Sequence, residues 1–414
     1  MPPLQPFTKT CLALAISQLL TSHAQAATIT VDSNLDNGTD CTLREAVVSI
    51  NSASLQTGCV NSGAALGTDD TIELNLTGSQ IITLSSALPT ITRDLIIDGK
   101  GQTIDAAGTG RVLTIDGATV ALSSLTLTGG AATEGGGIYA TGGSSVTLSN
   151  STVSGNSAGR GGGFFVTDSS SVSLVDSTVS ENTATYSAGF EVELGGTLSL
   201  TKSTVSENTA SVSGGGINVY DGTLHLLNST VSANYAGRNG GGIHFFENVS
   251  TRRETYANLT NSTVTGNSAA ERGGGFYTYI GDLALNNTII SGNRATLGAN
   301  EIHSLVGGTP IISNGHNLAG DNSQFSAKAF FGISLGMNDI TATYDGTNPA
   351  ALSAILSPLA DNGGPTETHA LPTGSPALDI ADGTVCTTAP VNSQDQRGFA
   401  RTTVCDIGAF ESTP

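Results

Sequence analysis

From Ser124 to Asn293 the chain repeats one unit in fixed phase. A Val or Ile followed three residues later by Asn recurs at Val153/Asn156, Val179/Asn182, Val205/Asn208, Val231/Asn234, Val264/Asn267 and Ile290/Asn293, in steps of 26, 26, 26, 33 and 26 residues. Two more columns keep the same step. One is leucine: Leu148, Leu174, Leu200, Leu226, Leu259 and Leu285. The other is a run of small residues before an apolar one, from Gly135-Gly136-Gly137-Ile138 to Gly273-Gly274-Gly275-Phe276. A period of this length restricts the chain to a solenoid, a propeller or a helical array.

The residues between these landmarks alternate, as in Ser145-Val146-Thr147-Leu148 and Thr197-Leu198-Ser199-Leu200, with Val and Leu inward and Ser and Thr outward. No apolar stripe of helical spacing occurs within the unit. Gly and Asn mark the turns, because both tolerate positive φ. The L-x-x-L-x-L run of leucine-rich repeats is absent, and propeller blades need ~40 residues or more. The pattern predicts an all-β, single-stranded parallel β-helix whose coils stack at ~4.8 Å, with the Asn column bonding from coil to coil as a turn ladder. Six clear coils and four or five irregular ones would give a rod on the order of 50 Å long. The Asn-x-Ser/Thr matches at Asn150, Asn228 and Asn261 fall on one repeat position and call for a turn explanation.

Residues 1–26 have the make-up of a signal peptide: Lys9, an apolar run from Cys11 to Leu20, and Ala24-Gln25-Ala26 as the cleavage site, with cleavage expected before Ala27. The apolar run is too short to span a bilayer, so no transmembrane segment is expected after cleavage. Loss of Lys9 takes the formal charge from −19 to −19 − 1 = −20, which argues against nucleic acid as a partner. The expected location is extracellular or cell-surface, outer membrane included, and a monomer is expected. Four cysteines remain in two close pairs outside the array, Cys41 with Cys59 and Cys386 with Cys405. In an exported chain these read as two local disulfides, one per end, each contributing roughly 3 kcal/mol in the chain-entropy model. The domain reading is a first cap at 27–70, the β-helix at 71–326 and a second cap at 327–414.

In the first cap, Thr28-Ile29-Thr30-Val31 alternates as a strand. Thr42-Leu43-Arg44-Glu45 has the form of a capping box, with Leu43, Ala46, Val47 and Ile50 at helical spacing. This predicts a short helix over the open end of the solenoid, where unpaired strand edges and core would otherwise face water.

Cys41-Thr42-Leu43-Arg44-Glu45-Ala46 resembles the CSLREA motif of exported bacterial β-helix proteins, with Thr42 in place of Ser. The Gly-Gly-Gly-Ile/Phe runs alternating with Val-x-x-Asn resemble the repeats of polymorphic outer-membrane proteins, with Val replacing Phe in the second motif. Thr368-His369-Ala370-Leu371-Pro372, Ser375-Pro376-Ala377-Leu378-Asp379, Asp395-Gln396-Arg397-Gly398 and Cys405-Asp406-Ile407-Gly408-Ala409-Phe410-Glu411 resemble the choice-of-anchor Q domain. These resemblances imply a right-handed β-helix of the pectin-lyase-like type, a hand that general crossover preference also favours, and a C-terminal cap on the last coil. Arg397, Asp395 and Asp406 read as a buried polar network of that cap.

Alternation also names a solvent face. After each glycine run the first apolar residue points inward and its neighbour outward. Asn218, Tyr220, His244, Phe246, Tyr277 and Tyr279 would form one patch on three adjacent coils, suited to stacking on sugar rings. The 33-residue step inserts seven residues around Asn248–Asn258, carrying Arg252, Arg253, Glu254 and Tyr256. An insertion in a solenoid makes a loop, and its arginines suit a carboxylate on an acidic glycan. The competing reading of the patch is a ring ladder that stabilises the sheet without a ligand. Glu191 and Glu193, on the next coil, are the acid-pair candidates: i and i+2 lie ~6.8 Å apart along a strand, within the range of inverting glycosidases. Their competing reading is solvated surface.

Enzyme signals are otherwise thin. The acid pair Asp69-Asp70 lies near the first cap, His316 sits in Asn314-Gly315-His316-Asn317, and no R-I-K occurs. Neither a calcium-type aspartate cluster nor a G-G-x-G-x-D repeat is present in register, so no metal and no cofactor is expected. The reading leans to a non-catalytic exported surface protein, adhesin-like or binding a polysaccharide or cell-surface partner. A polysaccharide lyase or glycoside hydrolase and a structural envelope protein are the alternatives.

Overall fold

The computed structural model describes residues 26–412 apart from 39, 78–79, 248–254, 306–311, 334 and 337. The leader expected over residues 1–26 therefore lies outside the described residues except for Ala26, as do Arg252 and Arg253.

The array is a parallel β-solenoid. A representative coil contains the strands Ile138–Thr141, Ser145–Ser149, Thr152–Ser154 and Ser157–Arg160. Each pairs in parallel with its equivalent on the next coil, so Leu148, Leu174, Leu200, Leu226, Leu259 and Leu285 stand in one register column. All six are at most 1% exposed. The Ser145- and Thr152-type strands share one long sheet, the Ser157-type strands form a seven-stranded sheet, and the Ile138-type strands form a nine-stranded sheet. Inside the triangle they enclose, every coil repeats the same apolar residues, so the core is one continuous column.

Two polar ladders run through the buried corners. In the first, each Asn side chain donates to the next: Asn156 to Asn182 at 3.0 Å, then Asn182 to Asn208, Asn208 to Asn234 and Asn234 to Asn267 at 2.9 Å, and Asn267 to Asn293 at 3.0 Å. The same oxygens accept the backbone N–H of the preceding rung. The ladder asparagines themselves lack positive φ. It falls on the residue before each: Gly155, Glu181, Glu207, Ala233, Gly266 and Gly292. In the second ladder the hydroxyls of Ser177, Ser203, Ser229 and Ser262 accept the backbone N–H of the serine one coil earlier at 3.2–3.4 Å. The residue ahead of each rung (Asn150, Asp176, Lys202, Asn228, Asn261) is the left-handed one, which is the turn role of the Asn-x-Ser/Thr matches.

The glycine runs do two jobs. Their first residue has positive φ, as at Gly135, Gly161 and Gly240. Their second and third residues lie where successive coils approach closely. A Cβ on Gly137, Gly163, Gly216, Gly242 or Gly275 would stand 2.6–2.7 Å from a carbonyl oxygen of the next coil, too close for any side chain.

At the N-terminal end Thr28–Val31 pairs in parallel with Thr71–Leu74. The helix Leu43–Ser52 buries Leu43, Ala46, Val47 and Ile50 on the end of the core. The Thr42 hydroxyl accepts the Glu45 N–H at 3.4 Å. The return bond of a capping box is not formed, and Glu45 Oε2 has no partner among the described residues. Arg44 grips Asp36 instead, at 2.8 and 2.9 Å. Cys41–Cys59 and Cys386–Cys405 are disulfides.

The C-terminal segment does more than close the last coil. It turns back along the long sheet to reach Lys202, whose carbonyl accepts the Thr366 hydroxyl at 3.1 Å. Gln396 donates to Thr204 at 2.8 Å and accepts from Thr230 at 2.7 Å, His369 pairs with Ser232 at 2.9 Å, and Ala409 N–H donates to Thr263 at 3.1 Å. Outward positions such as Thr204, Thr230, Ser232 and Thr263 are thereby buried. Within the segment Arg397 pairs with Asp395 at 2.8 Å and Arg401 with Glu411 at 2.8 Å, beneath the surface.

Asn208 sits mid-ladder, accepting two N–H groups and donating to Val179 O, Ser206 O and Asn234. Asn208→Ala leaves these buried groups unpaired. At roughly 1–3 kcal/mol per orphaned group, the denaturation midpoint is expected to fall well below that of Thr197→Ala on the outer face; equal midpoints would show the ladder to be incidental.

Candidate functional site

The outer face of the nine-stranded sheet carries a column in strict register: Tyr139, Phe165, Glu191, Asn218, His244, Tyr277, His303 and Phe331. A second column contains Glu193, Tyr220 and Phe246, and Tyr279 stacks on Phe246 at 5.2 Å. Five of the six residues of the expected patch thus lie on this sheet, and Tyr279 follows directly on its strand Phe276–Thr278. Their rings stack face to face: His244 on Tyr277 at 5.1 Å, Tyr277 on His303 at 5.0 Å, His303 on Phe331 at 4.8 Å, and Tyr220 on Phe246 at 5.2 Å. These spacings are set by the coil repeat, since residues in parallel register sit about one strand apart. Tyr279 is 43% and Phe331 47% exposed; because neighbouring rings cover one another's faces, the strip turns mainly ring edges to solvent.

The acid pair stands differently from either sequence expectation. Glu191 is 1% exposed and is not solvated surface. Its Oε1 accepts from Arg160 Nη2 at 2.8 Å and from Asn218 Nδ2 at 3.0 Å, and its Oε2 accepts from the Ser187 hydroxyl. The same Arg160 nitrogen also bonds Glu193. Two oxygens on one donor nitrogen lie roughly 6 Å apart or less, and a guanidinium fills the space where an inverting pair holds its water. Burial pushes the Glu191 carboxyl up, against the pull of Arg160. The pair is an ion clamp that closes this part of the face, with Asn218 Oδ1 relaying it to His244 Nδ1 at 2.6 Å.

Beyond His244 the column opens. His303 is 4% exposed, yet neither ring nitrogen has a partner among the described residues. It borders a hollow of about 390 Å³ together with Arg272, Leu297, Leu305 and Phe331. Arg272 is exposed and has no salt bridge among the described residues. Burial holds the His244 imidazole down at about 4, and burial with the nearby Arg272 charge does the same to His303.

The sequence reading missed the arginines that border this face. Arg160, Arg238 and Arg272 each come just before the glycine run of their coil. Arg160 lies over Phe165 at 5.1 Å, and Arg111 over Tyr139 at 4.5 Å. The signal available was an Arg one or two residues before the glycine run, as Arg160-Gly161, Arg238-Asn239-Gly240 and Arg272-Gly273. Tyr256, from the inserted step, packs at 6.1 Å from His225 on the long sheet, away from the ring strip. No group of three or more His, Cys, Asp or Glu among the described residues is placed to hold a metal ion.

Comparison with known proteins agrees with the architecture. A family model described as "Right handed beta helix region" matches residues 34–253. A solved structure, "Crystal structure of pectate lyase Pel9A", aligns with a TM-score of 0.45 and 13% identity over 94% of this chain and 98% of that one. No curated protein sequence matches.

Two neutral imidazoles inside the fold set a pH dependence. Below pH ~6.5 the unfolded chain takes up protons that folded His244 and His303 refuse until about pH 4. Stability from this source is complete above pH ~6.5 and is lost as pH falls toward 4. His303→Phe keeps a ring in the stack and removes one titration, so its Tm should fall less between pH 7 and 4.5 than that of the parent chain. Parallel Tm curves would refute the assignment.

Proposed function

Since this chain belongs to the right-handed β-helix family, we propose that it is an exported, non-catalytic polysaccharide-binding protein whose site is the ring strip of the nine-stranded sheet, with an acidic glycan as ligand. The observation that carries this reading is the ring stack running from His244 through Tyr277 and the buried His303 to the exposed Phe331, beside a hollow bordered by Arg272, which has no ion pair among the described residues. Ring edges at a fixed repeat offer an apolar strip on which successive sugar rings can lie. Arg272 supplies a charge-assisted, two-pronged donor for a carboxylate. His303, with unsatisfied nitrogens, gains a hydrogen-bond partner when a polar ligand fills the hollow.

An adhesin-like role at a cell surface follows from the same chemistry, since surface glycans present such groups. The lyase or hydrolase reading has less support from the face itself: Glu191 is locked behind Arg160, Ser187 and Asn218 and has no path to a substrate oxygen.

Affinity electrophoresis of residues 27–414 in gels containing polygalacturonate, alginate or neutral dextran tests the proposal, with chain length of the polysaccharide measured in parallel. Retardation is expected in the acidic gels, weakened by salt. Arg272→Ala and Tyr277→Ala should each reduce apparent affinity about tenfold or more, the scale of one lost charge-assisted bond. Absence of retardation in every gel would overturn binding by this face, and shortening of the polysaccharide would replace it with an enzyme.

A further inference from the structure

We propose that Asp70 is the receiving site for a new chain terminus: hydrolysis of the Ala26–Ala27 bond creates an α-ammonium on Ala27 that pairs with the Asp70 carboxylate and locks the first coil. The strand Asp70–Leu74 alternates, and Asp70 shares its inner face with Ile72 and Leu74, both fully buried. Asp70 is itself 1% exposed. A carboxylate on the core face of a strand is costly unless it is paired. Yet among the described residues no Lys or Arg reaches it, and its two oxygens accept backbone N–H groups: Ala27 N to Oδ1 at 3.0 Å and Gly67 N to Oδ2 at 2.8 Å. Asp69, just before it, has φ 61°, a left-handed turn that non-glycine residues adopt with strain.

The missing positive charge can come from the nitrogen already in place. Ala27 is fully buried, its carbonyl accepts Thr71 N–H at 2.8 Å, and the next residue begins the strand Thr28–Val31. Ala24 and Ala26 are the small residues that an export-linked signal endopeptidase requires on the acyl side of the scissile bond. In the hydrolysis a water oxygen adds to the Ala26 carbonyl carbon and the C–N bond breaks. The leaving nitrogen takes a proton from that water and, at neutral pH, a second from solvent to become –NH₃⁺. Cleavage acts on the chain before it folds. Folding then sets the ammonium where the amide nitrogen now lies, and a neutral hydrogen bond becomes a buried ion pair.

Four proteins test this: residues 27–414 with a free or an Nα-acetylated Ala27, each with Asp70 or Asp70→Asn. With Asp70 present, the free-amine protein should melt at least ~3 °C above the acetylated one, and Asp70→Asn should abolish that difference. N-terminal sequencing of the exported protein should begin at Ala27. Equal melting of the free and acetylated Asp70 proteins would overturn the proposal, as would another mature terminus. If Asp70→Asn does not fold in either form, the free-versus-acetylated comparison with Asp70 intact decides alone. Polysaccharide binding does not enter any of these measurements.

Discussion

Everything in this fold hangs on hydrogen bonding between successive coils. A parallel solenoid closes no sheet on itself, so each coil must meet the backbone groups of the next at the same height. That is possible only if the path around every coil has the same length and the same turns. The Asn ladder enforces this at one corner. Each amide both accepts from the rung before and donates to the rung after, so a change of one residue in path length would break two coils at once. The ladder must end on a group that only accepts, and it does: Glu301 takes Gly292 N–H, Asn293 N–H, the Asn293 amide and the Gln324 amide on its two carboxylate oxygens. The one irregular step obeys the same constraint. After it, Tyr256–Thr260 pairs with Thr223–Leu227 in unbroken register.

The second determinant of function is which faces remain open. The C-terminal segment folds back over the Thr204, Thr230 and Thr263 side of the long sheet and takes those hydroxyls out of solvent. The helix Leu43–Ser52 covers the first coil. On the ring-bearing sheet Tyr279 and Phe331 stay 43% and 47% exposed, while His303 is buried within the stack. Its polar character also changes along the rod: the Arg160 clamp satisfies Glu191 and Glu193 internally, whereas among the described residues the His303 ring nitrogens have no hydrogen-bond partner and Arg272 has no salt bridge. Within one repeated framework, one part of the face has its charges neutralised and the next has them unspent.

The repeat made the fold legible because its signal is redundant. Leu148 and its five copies, the Asn column and the glycine runs each report the coil length independently, and the alternation between them assigns inside and outside. The ring register could be read for the same reason: counting two residues from each glycine run places Tyr277 over His244 without any tertiary knowledge. What escaped the sequence depends on contacts between distant residues. Glu191 reads as a surface acid by alternation, and only the approach of Arg160 from the turn of the preceding coil, with Ser187 and Asn218, buries it. The serine ladder was hidden because Ser151, Ser177 and Ser203 look like ordinary outward hydroxyls. The return of Gln396 and His369 onto Thr204 and Ser232 spans more than a hundred residues, and no local pattern encodes it. The glycine at the third position was credited to turn geometry, whereas the carbonyl of the next coil, as at Gly163 and Gly189, excludes a side chain there.

The formal charge of −19 bears on an acidic ligand in a particular way. Spread over a rod and screened within about 8 Å at physiological ionic strength, a net charge sets approach rather than contact. What a bound carboxylate meets is the local balance. Near Tyr277 that balance holds Arg272, with Arg238 already paired to Glu271 at 3.2 Å on the adjoining coil. Arg160 is consumed by two glutamates. Arg272, with no salt bridge among the described residues, therefore marks this stretch of the face, whereas Arg111 over Tyr139 is taken up by backbone carbonyls and Thr114. Arg272 lies on the coil of Tyr277 and borders the hollow together with His303 and Phe331, so on the proposed reading a chain lying along the rings brings its carboxylate to the hollow while its sugar rings lie on the edges of the stack. On the proposed reading, a polymer is held by repeated weak ring contacts together with one directional ionic contact that fixes the register.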